Sequence, residues 1–228
     1  MAAMGDVLEA DRLVVGYAGA PVCGEVSLRV AAGEVLAVVG FNGAGKSTVV
    51  RTLAGRQDPL AGDVRVQGLP VVPDAVGFRR QVAAVFDEDA FFPALTVREH
   101  LLMVARGHAL AAPDAAVEAE LDFFGLTERS QTVPDALSSG QRRRLLLAAA
   151  FIRPASLLIL DEPEQRLDPV MRDALGDRLR QCAATGTSVV LVTHDPRLLV
   201  RTASACILVD EVVEHIEARR GAEIIAGA

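Results

Sequence analysis

Long apolar runs, clustered cysteines, basic stretches and internal repeats are all scarce in this chain, and each shortage removes a class of function. A membrane-spanning helix needs about 20 consecutive apolar residues, yet charge or proline interrupts every candidate, as Arg153 and Pro154 do after Leu145–Ile152. The amino terminus "MAAMGDVLEADR" has neither a basic start nor an apolar signal core, so a cytoplasmic location is expected. Cys23, Cys182 and Cys206 are odd in number and widely spaced, which fits neither a disulfide framework nor a zinc site. They read as reduced packing residues. A net charge of −7, with no basic cluster beyond Arg142–Arg144, argues against a nucleic-acid partner. No low-complexity tract or Pro/Gly/Ser linker divides the chain, so one domain with two lobes is expected.

What the chain does have is core material: 51% of its 228 residues are hydrophobic, enough to fold without staples. Short β-rich runs alternate with helical patterns, the signature of an α/β domain around a largely parallel sheet. Strands are expected at Val7–Val15, Val26–Val30, Val35–Val39, Asp63–Val66, Val82–Phe86, Leu157–Leu160, Ser188–Val192 and Ile207–Val209. The early ones follow one another without helices, which predicts a small antiparallel patch ahead of the core. Between Phe91 and Pro134, "TVREHLLMVARG" and "DAAVEAELDFFGL" space their apolar residues helically with no strand between them, so this stretch reads as a helical insert. The core is expected at 1–87 and 138–228, and the insert at about 88–137.

The chemistry begins at "AGEVLAVVGFNGAGKSTVV", an apolar strand followed by Gly40-Phe-Asn-Gly-Ala-Gly-Lys-Ser47 and helix formers. Gly40, Gly43 and Gly45 allow the backbone to wrap so that its N–H groups converge on phosphate oxygens, assisted by the positive end of the following helix. Lys46 is placed to reach the β- and γ-phosphates and the Ser47 hydroxyl to sit on Mg²⁺. In "SLLILDEPEQRLDP" a buried strand delivers Asp161, a metal-holding carboxylate, and Glu162, which can orient and polarise an attacking water. "VVLVTHDP" repeats the logic and ends a strand at His194, an imidazole for the γ-phosphate.

Taken in order, "GFNGAGKST", "LSSGQ", "LLILDEP", "LDP" and "VTHD" resemble the nucleotide-binding subunit of ATP-binding-cassette (ABC) transporters over nearly the whole chain. The resemblance implies an α/β, P-loop NTPase core with a mostly parallel sheet, an N-terminal antiparallel β patch and a helical insert lobe. It implies ATP and Mg²⁺ as ligands, and a sandwich dimer in which each ATP lies between the P-loop of one subunit and the "LSSGQ" of a second ATPase subunit. Gly40, Asn42, Gly43, Ala44, Gly45, Lys46, Ser47 and Thr48 would then cradle the nucleotide, and Tyr17 would stack on its adenine. Ser138, Ser139, Gly140 and Gln141 would meet the partner's ATP, small so that the helix N-terminus can approach a γ-phosphate. Asp168 would lie in the loop that crosses the dimer interface. The resemblance also places the chain on the cytoplasmic face of the membrane beside transmembrane subunits, with Phe91 and Phe92 lining the groove that receives them.

Two positions depart from the family pattern. Ser139 stands for a glycine, a small-for-small exchange expected to leave function intact. Asp87 stands where the family carries a glutamine that contacts Mg²⁺, and its shorter carboxylate points to a metal contact through water or, alternatively, to capping of the turn at Glu88–Ala90. Arg142, Arg143 and Arg144 read as a solvated helix face, with direct phosphate contact as the other reading, and Leu145–Phe151 as helix core. The function expected is an ATPase that drives membrane transport. A cassette ATPase serving a cytoplasmic assembly such as an iron–sulfur scaffold, or a nonhydrolytic partner in a heterodimer, are the alternatives. "EPEQRLDP" followed by "VTHD" favours transport, and the presence of Glu162 and His194 speaks against the inert partner.

Overall fold

Alternating and continuous apolar runs sort the strands of this chain onto different sheets. The computed structural model describes residues 5–227. Its elements begin with β1 (Asp6–Val14), β2 (Gly16–Tyr17), β3 (Ala20–Pro21), β4 (Val26–Ala31), β5 (Val35–Val39), α1 (Lys46–Leu53), β6 (Ala61–Val66), β7 (Leu69–Pro70), α2 (Val76–Gln81) and β8 (Val82–Val85). They continue with α3 (Val97–Gly107), α4 (Pro113–Phe123), α5 (Ser139–Phe151), β9 (Leu157–Asp161), α6 (Pro169–Ala184), β10 (Ser188–Val192), α7 (Pro196–Thr202), β11 (Ala205–Leu208), β12 (Glu214–Ile216) and α8 (Ala218–Ala226). Every expected strand is present, β5 and β10 with the expected bounds and the others with ends moved by one or two residues, and β2, β3, β7 and β12 are short additions.

The central sheet has the order β12-β11-β5-β10-β9-β8, all parallel except the β12 edge. Strands β5, β9 and β10 are buried at every position, which is why they read as unbroken apolar runs. Their side chains divide with the period of two. Val35, Leu158, Leu160, Val189 and Leu191 face α3, α4, α5 and α6 through Leu101, Leu121, Leu145, Leu147 and Leu175. Leu36, Val38, Ile159, Val190 and Val192 face α1 and the antiparallel sheet β4-β1-β6-β7. Together these layers make the mostly parallel α/β core with its antiparallel N-terminal patch.

Between β8 and β9 the chain is helical, as the apolar spacing predicts. A capping box opens α3: Thr96 Oγ1 accepts from the Glu99 N–H at 3.2 Å, and Glu99 Oε2 accepts from the Thr96 N–H at 2.8 Å. Buried Glu120 of α4 pairs with Arg178 of α6, whose guanidinium also lies 4.9 Å from the Phe123 ring centre. The insert is thus tied to the core by charge as well as by packing. Helix α5 contacts α3, α4 and β8, so it is shared between the lobe and the sheet. Among the described residues no helix is long and apolar enough to cross a membrane.

Candidate active site

The turn from β5 into α1 has the conformation its glycines demand. Gly43 and Gly45 have φ of 83° and 95°, the left-handed region that side chains avoid. At Gly40 the constraint is space, because a Cβ would lie 2.4 Å from the Val209 carbonyl oxygen. Lys46 folds back over this loop and donates from Nζ to the carbonyls of Gly40 and Phe41, both at 2.9 Å. Burial lowers its pKa, while Glu162 and Asp161 pull it back up. Thr48, one turn into the same element, shares a hydrogen bond of 3.3 Å with the Tyr17 hydroxyl, and the Tyr17 side chain is otherwise 54% exposed.

Parallel strands β9 and β10 end side by side, with Asp161 paired to Val192 in register. Asp161 is buried and its Oδ1 has no partner. Burial raises its pKa, and the Ser47 hydroxyl beside it acts in the opposite direction. An orphaned carboxylate oxygen next to a hydroxyl is a hard-oxygen donor set of the kind Mg²⁺ takes together with water and phosphate. Glu162 follows with φ 48°, and its Oε1 lies 3.4 Å from His194 Nε2. Its Oε2 accepts from Gln165 Nε2. Glu162, His194 and Asn42 line one open cleft of about 1070 Å³.

The remaining expected residues fall into two groups. Ser138 and Gln141 form a capping box at the start of α5, with Gln141 N–H to Ser138 Oγ at 3.2 Å and Ser138 N–H to Gln141 Oε1 at 3.0 Å. Ser138 and Ser139 are exposed, and Ser138–Gln141 do not line the Glu162–His194 cleft. Asp168 caps α6 through the Met171 N–H at 3.0 Å and pairs with Arg144. Phe92 lines a second cleft of about 1220 Å³ with Tyr17, Arg51, Arg80 and Arg153, whereas Phe91 packs on the helical core beside His100. Asp87 Oδ1 is held by Arg166 at 2.8 Å.

A glycine-rich loop, a buried carboxylate and a Glu–His pair lie at the carboxyl edge of one parallel sheet, with an exposed small-residue helix start elsewhere, the arrangement that the sequence resemblance implies. The sequence model of the ABC transporter family matches residues 23–165. The chain belongs to the ABC transporter family. It is 38% identical over 180 residues to "Nod factor export ATP-binding protein I" of Rhizobium meliloti (strain 1021), covering 78% of this chain and 54% of the relative. It is 34% identical over 186 residues to "SkfA peptide export ATP-binding protein SkfE" of Bacillus subtilis (strain 168), covering 81% of this chain and 77% of the relative. The chain spans just over half the length of the Nod factor export relatives it matches. Among solved structures, "Structure of ATP binding subunit of ABC transporter" superposes with a TM-score of 0.84 at 28% identity, covering 97% of this chain and 95% of the other.

In this ABC transporter chain the arginine triplet is not a solvated face, which corrects the sequence expectation. Arg143 is 2% exposed and donates to the carbonyls of Phe86, Asp161 and Glu162. Arg142 and Arg144, both partly buried, pair with Asp89 and Asp168. The clue was present: 143, 147 and 150 share one helical face, and Leu147 and Ala150 are buried. Glu164 was also missed. Its buried Oε1 accepts from Thr193 Oγ1 at 2.5 Å and from the His194 N–H at 3.0 Å. Nothing local in "DEPEQRLDP" distinguishes Glu164 from a surface acid.

Proposed function

We propose that this chain is the ATP-hydrolysing, nucleotide-binding subunit of an ABC transporter, driving separate transmembrane subunits through ATP-dependent closure of a dimer. The observation that carries the reading is the meeting of Glu162 and His194 at 3.4 Å beside buried Lys46 and Asp161. Glu162 orients and polarises the attacking water, and its Oε2 is steadied by Gln165. Lys46 and His194 stabilise the charge that builds on the transferred γ-phosphoryl oxygens. Ser47 and Asp161 would hold Mg²⁺, which when bound supplies positive charge to the phosphate oxygens. Asp87, whose Oδ1 is held by Arg166, would reach the metal through water rather than by direct ligation.

Gly40, Asn42, Gly43, Ala44, Gly45 and Thr48 cradle the phosphates, and exposed Tyr17 offers its ring to the adenine. Ser138–Gln141 serve the ATP of the second subunit, consistent with their separation from the Glu162 cleft within one chain. The cleft holding Phe92 is the side offered to a transmembrane subunit at the cytoplasmic face of the membrane. The names of both relatives concern export, which supports export as the direction to test first.

The deciding experiment compares the parent with Glu162→Gln. Hydrolysis should fall by about 10²-fold or more while ATP binding persists, because the amide keeps the shape and loses the carboxylate. Parental turnover in that variant would remove Glu162 from the mechanism. Copurification from detergent-solubilised membranes tests the transmembrane partner, and recovery of soluble proteins alone would count against it.

A further inference from the structure

We infer, on the footing that Glu162 orients the attacking water, that Arg143 is a positioning residue which fixes the Glu162 backbone from the same helix that begins at Ser138. Its guanidinium forks across the carboxyl ends of two neighbouring strands. Nη1 donates to the Phe86 carbonyl at 2.6 Å, and Nη2 donates to the carbonyls of Asp161 and Glu162, each at 2.7 Å. The last residues of β8 and β9 in register are Val85 and Leu160. Beyond them the strands part, and the Phe86 and Asp161 carbonyls accept from Arg143, while the Glu162 carbonyl accepts from both Arg143 and the Gln165 N–H, the latter at 3.1 Å.

The arrangement is costly for stability alone. A 2% exposed guanidinium gives up its hydration, and its hydrogen bonds go to neutral carbonyls rather than to a carboxylate. Burial pulls its pKa down, while Asp87, Glu164 and Asp161 nearby pull it up. What the cost secures is visible at Glu162. That residue has φ 48°, a left-handed conformation that is strained for a side-chain-bearing residue and persists only where the surroundings over-determine it. Its N–H donates to the Val192 carbonyl at 2.9 Å, and its own carbonyl accepts from Arg143. Both ends of the residue are therefore held, and the side chain is directed to His194.

The same contact joins two functions. Ser138 and Gln141 cap α5 at its start, and Arg143 follows on its first turns. In a sandwich dimer this helix meets the partner's nucleotide, so a shift of α5 on engagement moves the support under this subunit's own Glu162. Arg142 and Arg144 add ion pairs from α5 to Asp89 and Asp168, which bind it to the loops on either side.

The test is a double-mutant cycle on the full chain. Arg143→Met keeps length and removes the donors. At saturating ATP its kcat should fall by about tenfold or more, with the ATP dissociation constant within about twofold of the parent. In the Glu162→Gln background, single-turnover hydrolysis should not fall further, because the group being positioned is already gone. Equal loss in both backgrounds would overturn the proposal. If Arg143→Met shows no cooperative melting, the cycle is run with Arg143→Lys, whose single ammonium cannot span carbonyls on two strands. Parental kcat in Arg143→Lys would also overturn it. Failure of the functional reading looks different: Glu162→Gln would then hydrolyse ATP as fast as the parent.

Discussion

Arg166 donates from Nη2 to Asp87 Oδ1 at 2.8 Å, an ion pair between positions 79 residues apart. It joins the loop after β8 to the loop after β9, and it occupies one oxygen of the Asp87 carboxylate. Arg51 of α1 and Arg142 of α5 pair with the next two acids of the same loop, Glu88 and Asp89. The segment is therefore held by arginines from three elements around the site.

Asp87→Asn should leave the Mg²⁺ dependence of ATP hydrolysis close to that of the parent, since Arg166 holds Asp87 Oδ1 and a contact with the metal would run through water. The Asp87 and Arg166 side chains are 63% and 39% exposed, so loss of the pair should cost no more than about 1 kcal/mol of stability. A Mg²⁺ titration at saturating ATP checks this. A several-fold rise in the half-saturating concentration would instead make Asp87 a direct ligand of the metal.

Ser138→Arg should abolish hydrolysis while ATP binding by the monomer survives, because the bulk is placed on the face offered to the other subunit. It also breaks the capping box with Gln141, at a cost of about 0.5–2 kcal/mol, so melting curves should accompany the assay. Mixed with Lys46→Ala chains, the variant should regain activity: one interface of the mixed dimer keeps both its P-loop and its Ser138 helix. Mixed dimers that form and stay inactive would show that each chain acts alone.

Glu164 ties stability to pH. Burial raises its pKa, the Thr193 and His194 donors offset this in part, and Glu162 adds to the rise. The native state therefore holds its proton more tightly than the unfolded chain, and stability falls as pH rises from about 4.3, the ordinary glutamate value, through the raised native value. Glu164→Gln removes that slope. Thermal melts of parent and variant across this range should show the parent losing ground as pH increases, and a constant difference would contradict it.

Cys206 should resist alkylation in the folded protein, because burial pushes its thiol up to about 11 and thiolate is scarce at neutral pH. Mass spectrometry after iodoacetamide treatment should find it modified only once denaturant is added. Rapid native labelling would mean that the β11–α8 packing opens readily.

Ser139 is exposed at the first residue of α5. Gly140 next to it has no room for a side chain: a Cβ would lie 2.8 Å from the Arg166 carbonyl oxygen. The loop that holds Asp87 thus also touches the start of α5.

By itself the sequence determined whatever depends on neighbouring residues. Unbroken apolar runs specify strands buried on both faces, glycines at 43 and 45 specify a left-handed turn, and a Ser–Gln spacing of three specifies the α5 cap. The positions of Asp161, Glu162 and His194 at strand ends, and of Lys46 at the start of α1, were legible for the same reason, since each lies within a few residues of an apolar strand. Only the tertiary structure decided which of three adjacent arginines goes inside, because successive helical residues turn by about 100° and the face that is buried depends on where the sheet and lobe lie. It alone brought Arg166 to Asp87 and Glu164 to Thr193. Those partners are set by how the strands line up across the sheet, an order that no local pattern encodes.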